Sequence, residues 1–370
     1  MNIFIVLYGI SLSGGGGAER RFLRVFEKAK QMNNKSIRII INRKLFESAK
    51  SLNLIVDDSQ VIIYEDESSN NDLRFSKFVI NVLKQHPGCI VHLVLLQRSQ
   101  ILLHLFLLFR RRRFNISVVT TIASYFYAYN LNLKFTEKMN YKLIIGATDV
   151  FDSLYSKIKL NRNNVNITPC SFTDYNKYSP SDKEKIVVFS GRLIKDKNPF
   201  LFVSAVNELV HKYCDKNSKE WKYFIMGSGP LENELKKYVN DNKLSDFIFF
   251  RTGDTSKILK KSKIFVSLQQ HENYPSQSLI EAIATKNIII ATDVGDTRKI
   301  VKEQYSKLIS IDRDSLVEAL LDLFEKEEKM NKVAELALIE LKATHNIEKF
   351  YDYLNTIWAQ ALRKEYKSKT

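Results

Sequence analysis

The feature that most narrows what this chain can fold into is a repeated alternation of short, continuous apolar runs with longer stretches of helical period. Runs of this kind read as parallel strands buried on both faces, and the stretches between them as the helices that cover the sheet. In the first half the strand candidates are 2–8, 36–41, 61–64, 89–96, 116–120 and 142–147. Between the first two, Ala18, Phe22, Val25, Phe26 and Ala29 fall on one face of a helix. At 161–181 polar residues, Pro169 and Pro180 interrupt the alternation like a linker. It then restarts with strands at 185–190, 222–227, 264–268 and 287–291 and helices at 199–212 and 231–239. The expected fold class is therefore α/β, with two doubly wound sheets in succession. A length of 370 residues suits two domains, each with its own core. Beyond residue 316 the chain reads as helical to its end, with Phe350, Tyr351, Leu354, Ile357 and Trp358 as an apolar face that must dock.

Composition decides few further points. Lys and Arg number 57 against 41 acidic residues, a formal net charge of +16, so an anionic partner is expected: nucleotide phosphates, nucleic acid or an acidic membrane face. The basic residues occur along the whole chain with no recognition helix, RNA-stacking motif or zinc finger, which speaks against nucleic acid. Cys89, Cys170 and Cys214 are odd in number and widely spaced, so neither a disulfide framework nor a zinc site is expected, and a reducing cytoplasm fits. The N-terminal run enters glycines directly and reads as a buried strand rather than a signal peptide. The longest uncharged apolar run, 101–109, is too short to span a bilayer, which takes ~20 residues.

Four constellations follow strands, where doubly wound sheets place their ligand crevice. Gly14, Gly15, Gly16 and Gly17, followed by Ala18-Glu19-Arg20, let backbone amides approach a phosphate or sugar at a helix start, or make a flexible turn. They do not match the dinucleotide fingerprint, so hydride chemistry is not favoured. Arg192 and Lys197 flank the short loop 190–199, where both cations could converge on a pyrophosphate, or lie in a solvated basic loop. Gly227-Ser228-Gly229-Pro230 is a turn that either passes close to a nucleotide or merely connects strand and helix. In 271–282, a helix starting near Gln277 would offer free amides at Ser278 and Leu279 to a diphosphate, with Glu281 accepting from ribose hydroxyls. Ser278 and Glu281 also fit a capping box, in which they only satisfy the helix end.

Taken in order, these motifs resemble glycosyltransferase family four, the group-one glycosyltransferases, over nearly the whole chain. The glycine loop with Ala-Glu-Arg matches 16–20, the Gly-Arg-Leu loop with a downstream Lys matches 191–197, the Gly-x-Gly-Pro turn matches 227–230, and Glu281-Ala282 matches the end of the paired-glutamate motif. The resemblance implies a GT-B fold: two Rossmann-like domains facing across a cleft, 1–178 for the acceptor and 179–345 for the nucleotide-sugar, with a C-terminal helix, 346–370, crossing back onto the first. It implies a retaining, metal-independent transfer of a sugar from a nucleotide-sugar donor to a saccharide or lipid-linked acceptor, in surface polysaccharide or lipopolysaccharide synthesis. No cofactor is implied beyond the donor itself. Arg192, Lys197 and Glu272 would be catalytic; Gly16, Gly17, Gly229, Asn273, Ser278, Leu279 and Glu281 would bind the donor.

Two departures stand out. Eight residues, not the family's seven, separate Glu272 from Glu281, so either Glu272 or Asn273 faces the donor sugar. No histidine follows the strand near 118–121, where many members carry one; the run is Thr120-Thr121-Ile122-Ala123-Ser124-Tyr125. His92, in an apolar strand, reads as a satisfied core residue. The basic, apolar stretch 101–113 reads either as a dock for an anionic membrane surface on the cytoplasmic side or as a buried helix with a solvated basic end. The competing functions are a sugar-nucleotide epimerase on the same architecture and a non-catalytic carbohydrate-binding scaffold.

Overall fold

The computed structural model describes residues 2–9, 12, 17–55, 57–65, 72–94, 101–122, 142–145, 164–213, 218–271 and 274–367. They form two compact units, one comprising Met1–Pro169 with Ile347–Thr370 and the other Cys170–Asn346.

In the first unit, strands β1 (Ile3–Leu7), β2 (Ile37–Asn42), β3 (Val61–Tyr64), β4 (Ile90–Val94), β5 (Ser117–Ile122), β6 (Lys142–Ile145) and β7 (Val165–Ile167) make one parallel sheet in the order β3-β2-β1-β4-β5-β6-β7. Every residue of β1, β4 and β5 is buried, as a strand covered by helices on both faces requires. Helices α1 (Gly17–Gln31), α2 (Arg43–Ser51), α3 (Asp72–Gln85) and α4 (Ile101–Arg110) connect the strands. The expected apolar face of α1 is buried at Phe22, Val25, Phe26 and Ala29.

The second unit repeats the plan. Strands β8 (Glu184–Ser190), β9 (Lys222–Met226), β10 (Ile248–Arg251), β11 (Ser262–Ser267), β12 (Ile288–Thr292) and β13 (Ser306–Ile309) form a parallel sheet in the order β10-β9-β8-β11-β12-β13. Its helices are α5 (Pro199–Lys212), α6 (Glu232–Asp241), α7 (Ser256–Leu259), α8 (Gln277–Ala284), α9 (Arg313–Glu325) and α10 (Glu327–Thr344). Trp221 stacks on Phe324 with ring centroids 4.4 Å apart, closing this core against α9.

Three strands escape a reading of apolar runs: β7, β10 and β13. All three lie at sheet edges and are only partly buried; β7 and β13 carry no continuous apolar run, and β10 lies in a short one, 247–250, that periodicity alone does not tell from a helical segment. The domain boundary also moves. Residues 170–178, assigned from the sequence to the first domain, belong to the second unit. Their bonds explain this: the Tyr175 hydroxyl donates to the His345 carbonyl (2.6 Å), and Lys177 pairs with Asp254 (3.2 Å).

The C-terminal helix, α11 (Ile347–Lys367), packs on α1, β4 and β5 of the first unit. Its Trp358 Nε1–H donates to His92 Nδ1 (3.1 Å), while His92 Nε2 lies 2.8 Å from Thr121 Oγ1. A ring accepting at Nδ1 and donating at Nε2 is neutral. Burial pushes its pKa down from 6.5 to about 3. His92 is thus a core residue with both ring nitrogens satisfied. Between pH 6.5 and 3 the unfolded chain binds a proton at this position that the folded chain does not, so stability falls as pH falls through that window. Urea unfolding in a Trp221→Phe background, read by Trp358 fluorescence, should show the wild type losing about 2 kcal/mol more than His92→Gln between pH 7 and 5. Equal losses in both would show that His92 titrates normally.

Candidate donor site of the second unit

The sheet order of the second unit reverses between β8 and β11, the position at which doubly wound folds bind ligands beyond the carboxyl ends of their strands. The loop after β8 holds Arg192 and, within a short 3-10 turn (Lys195–Lys197), Lys197. Asn198 follows in a left-handed conformation (φ 49°), and Pro199 opens α5. This loop is tied to the one after β11 through Asn198 and Gln270: Asn198 Nδ2 donates to the Leu268 carbonyl (2.8 Å), the Gln270 amide to the Asp196 carbonyl (3.0 Å), and Gln270 Nε2 to Asn198 Oδ1 (2.9 Å).

Lys197 Nζ donates to the neutral Gln269 Oε1 (2.7 Å). Burial, and next the positive charge of Arg192, pull its pKa down to about 8, with Asp196 opposing. Among the described residues no carboxylate forms an ion pair with Arg192 or Lys197. Two neighbouring cations are therefore held without an ion-paired carboxylate among the described residues, one of them partly desolvated and with Asp196 only partly offsetting its charge, which is the electrostatic condition of an anion site.

The Gly227-x-Gly229 turn serves first to bring two loops together. Gly227 has φ +145°, and a Cβ there would lie 2.0 Å from the Gly191 carbonyl oxygen; at Gly229 it would lie 2.6 Å from the Leu193 carbonyl oxygen. This contact carries backbone hydrogen bonds from the Gly191 amide to Met226 (3.0 Å) and from the Leu193 amide to Ser228 (3.0 Å). The loop bearing Arg192 is thus seated on the turn after β9.

On the other side of the reversal, α8 starts at Gln277, with Ser276 as its N-cap residue and no side-chain cap. Ser278 is already inside the helix, so the capping box is not formed; Ser278 Oγ lies 3.2 Å from Ser276 Oγ, and Glu281 accepts from Gln277 Nε2 (3.1 Å). Among the described residues the opening amides of α8, including those of Ser278 and Leu279, thus have neither an intrahelical acceptor nor a side-chain cap from Ser276, and they add the positive end of the helix dipole. A small pocket beneath them is lined by Ser267, Gln269, Ser276, Leu279, Thr292 and Thr297. Gln269, the acceptor for Lys197, joins the cations to this helix start.

Glu281 is held from behind. Gln277 Nε2 also donates to the Phe172 carbonyl (3.2 Å), and Ser171 Oγ donates to Gln277 Oε1 (3.5 Å). Buried Tyr178 stands close enough to Glu281 that the carboxylate, after burial, raises the tyrosine pKa. The structure thereby groups Arg192, Lys197, Gly229, Ser278, Leu279 and Glu281 in one unit. Gly17, the first residue of α1, is exposed in the first unit with open space around it. Gly16, Glu272 and Asn273 lie outside the described residues. Motif reasoning missed Gln269, Gln277 and Tyr178. Gln269 carried a faint signal, as a polar residue just past an apolar strand; Tyr178 carried none, because it meets Glu281 only through the fold.

Residues 172–338 match the family model described as glycosyl transferases group 1. A Campylobacter jejuni protein named GalNAc-alpha-(1->4)-GalNAc-alpha-(1->3)-diNAcBac-PP-undecaprenol alpha-1,4-N-acetyl-D-galactosaminyltransferase is 27% identical over 195 residues, 51% of this chain and 51% of its own length. The putative glycosyltransferase YtcC of Bacillus subtilis is 25% identical over 269 residues, 68% of this chain and 62% of its own. The chain thus spans about half to three fifths of the length of these curated relatives. Among solved structures, a glycosyltransferase from Rickettsia africae superposes with a TM-score of 0.74 at 17% identity, covering 98% of each chain. Anabaena Alr3699/HepE in complex with UDP and glucose does so with 0.77 at 10% identity, covering 97% of this chain and 99% of its own. At such identities the likeness establishes the fold, the GT-B arrangement of two α/β sheets.

Proposed function

We propose, from the match of residues 172–338 to the group 1 glycosyl transferases, that the chain transfers a sugar, with retention, from a nucleotide-sugar to a saccharide or lipid-linked acceptor. The observation that carries the reading is the pair of cations, Arg192 and Lys197, that have no ion-paired carboxylate among the described residues and are joined through Gln269 to the start of α8, which has no side-chain cap. That arrangement fits a diphosphate. The UDP held by the Anabaena neighbour supports a nucleotide-sugar donor, and the undecaprenol-linked saccharide in the name of the Campylobacter relative supports the acceptor class.

The chemistry follows from charge. As the bond from the anomeric carbon to the diphosphate oxygen breaks, negative charge grows on that oxygen and positive charge on the ring. Arg192, Lys197 and the amides of Ser278 and Leu279 stabilise the first. The acceptor hydroxyl attacks the anomeric carbon from the face the diphosphate leaves, and its proton passes to a departing phosphate oxygen. Glu281 holds the ribose hydroxyls, Gly229 passes along the nucleotide, Glu272 or Asn273 faces the donor sugar, and Gly16 and Gly17 bind the donor. No metal is assigned to the step. Cytoplasmic assembly of surface polysaccharide or lipopolysaccharide is the setting in which such a donor and acceptor meet. Among the described residues no helix is long and apolar enough to cross a membrane.

Calorimetry with UDP-, GDP-, ADP- and CMP-sugars tests this reading. One nucleotide should bind, and Glu281→Ala should weaken it about 10- to 100-fold, the value of a hydrogen bond to a charged group. Gln277→Ala, which frees Glu281 to rotate, should weaken it less. Binding of none of the four would sink the proposal; release of an epimerised nucleotide-sugar without acceptor would point to the epimerase instead. Transfer abolished by EDTA and restored by a divalent ion would overturn the metal-free step.

A further inference from the structure

From Leu73 to Thr136 the sequence has no Asp or Glu and nine Lys or Arg, so more than half of the net charge of +16 resides in this stretch although basic residues occur throughout. The described part of it includes α3 and α4, which pack together through Phe75, Val79, Leu83, Leu103 and Leu107. That contact buries one side of α4 and leaves another in solvent: Leu105 (38% exposed) and Phe109 (72% exposed), one turn apart on one face. Arg110, Arg112 and Arg113 follow immediately, all exposed, while Arg111 turns inward. On α3, Lys77 and Lys84 are exposed two turns apart, and the Lys84 ammonium lies 5.8 Å from the Phe106 ring centroid. Among the described residues none of these five exposed cations forms an ion pair, in contrast with the many paired lysines of the second unit.

Exposed apolar side chains beside unpaired arginines form a surface with two complementary requirements, a nonpolar layer to enter and fixed anions just above it. We infer that the α3–α4 face of the first unit docks on an anionic lipid bilayer, with Leu105 and Phe109 entering the acyl boundary and Arg110, Arg112, Arg113 and Lys84 lying at the head groups. Nucleic acid would meet the charge but gives no account of the leucine. The inference does not depend on glycosyl transfer, and its readout is independent of it.

The test is co-sedimentation of the full chain with vesicles of phosphatidylcholine alone or with 30 mol% phosphatidylglycerol. Binding is expected only to the anionic vesicles and should fall with added salt. Arg110→Gln/Arg112→Gln/Arg113→Gln should lower the partition coefficient about a hundredfold, at the weight of three interfacial charges. Leu105→Ser/Phe109→Ser should lower it about tenfold or more at constant charge. All five positions are exposed, and an unchanged thermal midpoint shows that each variant is folded. Equal binding to neutral vesicles, wild-type binding by the triple-glutamine variant, or binding to single-stranded RNA in place of anionic vesicles would each overturn the inference.

Discussion

Lys197→Met is expected to lower kcat/KM for transfer by about 10²- to 10³-fold, the usual loss when one preorganised charge is removed from a site of charge development. The ammonium is held by Gln269 and by the turn Lys195–Lys197, so it does not have to be ordered when charge appears on the departing phosphate. Its lowered pKa adds a signature. Lys197 carries its charge below about 8 and loses it above, so wild-type kcat/KM should fall as pH rises from 7 to 9.5, a limb that reports the free enzyme. In Lys197→Met that limb should be absent, because nothing remains at the position to titrate. Arg192→Ala should cost a similar factor without removing the limb, moving it upward instead, since Arg192 helps depress the Lys197 pKa. Neither variant should lose stability, as each removes a positive charge lying next to another. Initial rates across pH with thermal melts alongside check this. Activity of Lys197→Met within threefold of wild type would remove the lysine from the mechanism.

Gly227→Ala should destabilise the second unit by about 3–5 kcal/mol and weaken donor binding in the same variant. The added Cβ would lie 2.0 Å from the backbone oxygen of Gly191, at a φ of +145° that side-chain-bearing residues rarely adopt. A backbone obstacle cannot rotate away, so the loop after β8 must lift off the turn after β9. Lifting breaks the bonds from the Gly191 and Leu193 amides and carries Arg192 with it. Denaturation followed through Trp221, in a Trp358→Phe background, reports this unit, and calorimetry reports the site. Gly17→Ala is the contrasting case, because an added Cβ meets nothing within 4 Å, and it should leave stability level or slightly raised. An unfolding midpoint for Gly227→Ala equal to wild type would show that the loops are not in the contact described.

The two variants also show how far the residues speak for themselves. Arg192 and Lys197 were legible because they punctuate a strand end, and the glycines of 227–229 because a turn needs them. What the glycines do was not legible: the need for a hydrogen in place of a side chain comes from a backbone strand-and-loop neighbour more than thirty residues away. The same limit applies at α8. Ser278 and Glu281 have capping-box spacing, but the helix begins one residue before Ser278, and the carboxylate turns to Gln277. One residue of register decides between satisfying the helix end and leaving its amides for a ligand.

The alternation of apolar runs and helical stretches, by itself, determined two parallel α/β sheets, the break between them and a docked C-terminal helix, because burial on both faces of a strand is a local property written in consecutive residues. Tertiary structure alone decided the edge strands β7, β10 and β13, the transfer of residues 170–178 to the second unit, and the partners of Lys197, Glu281 and His92. β7 and β13 bury too little to need an apolar run, the short run 247–250 that holds β10 is not told from a helical segment by periodicity, and a polar side chain's partner depends on which distant segment arrives beside it, which no local pattern encodes.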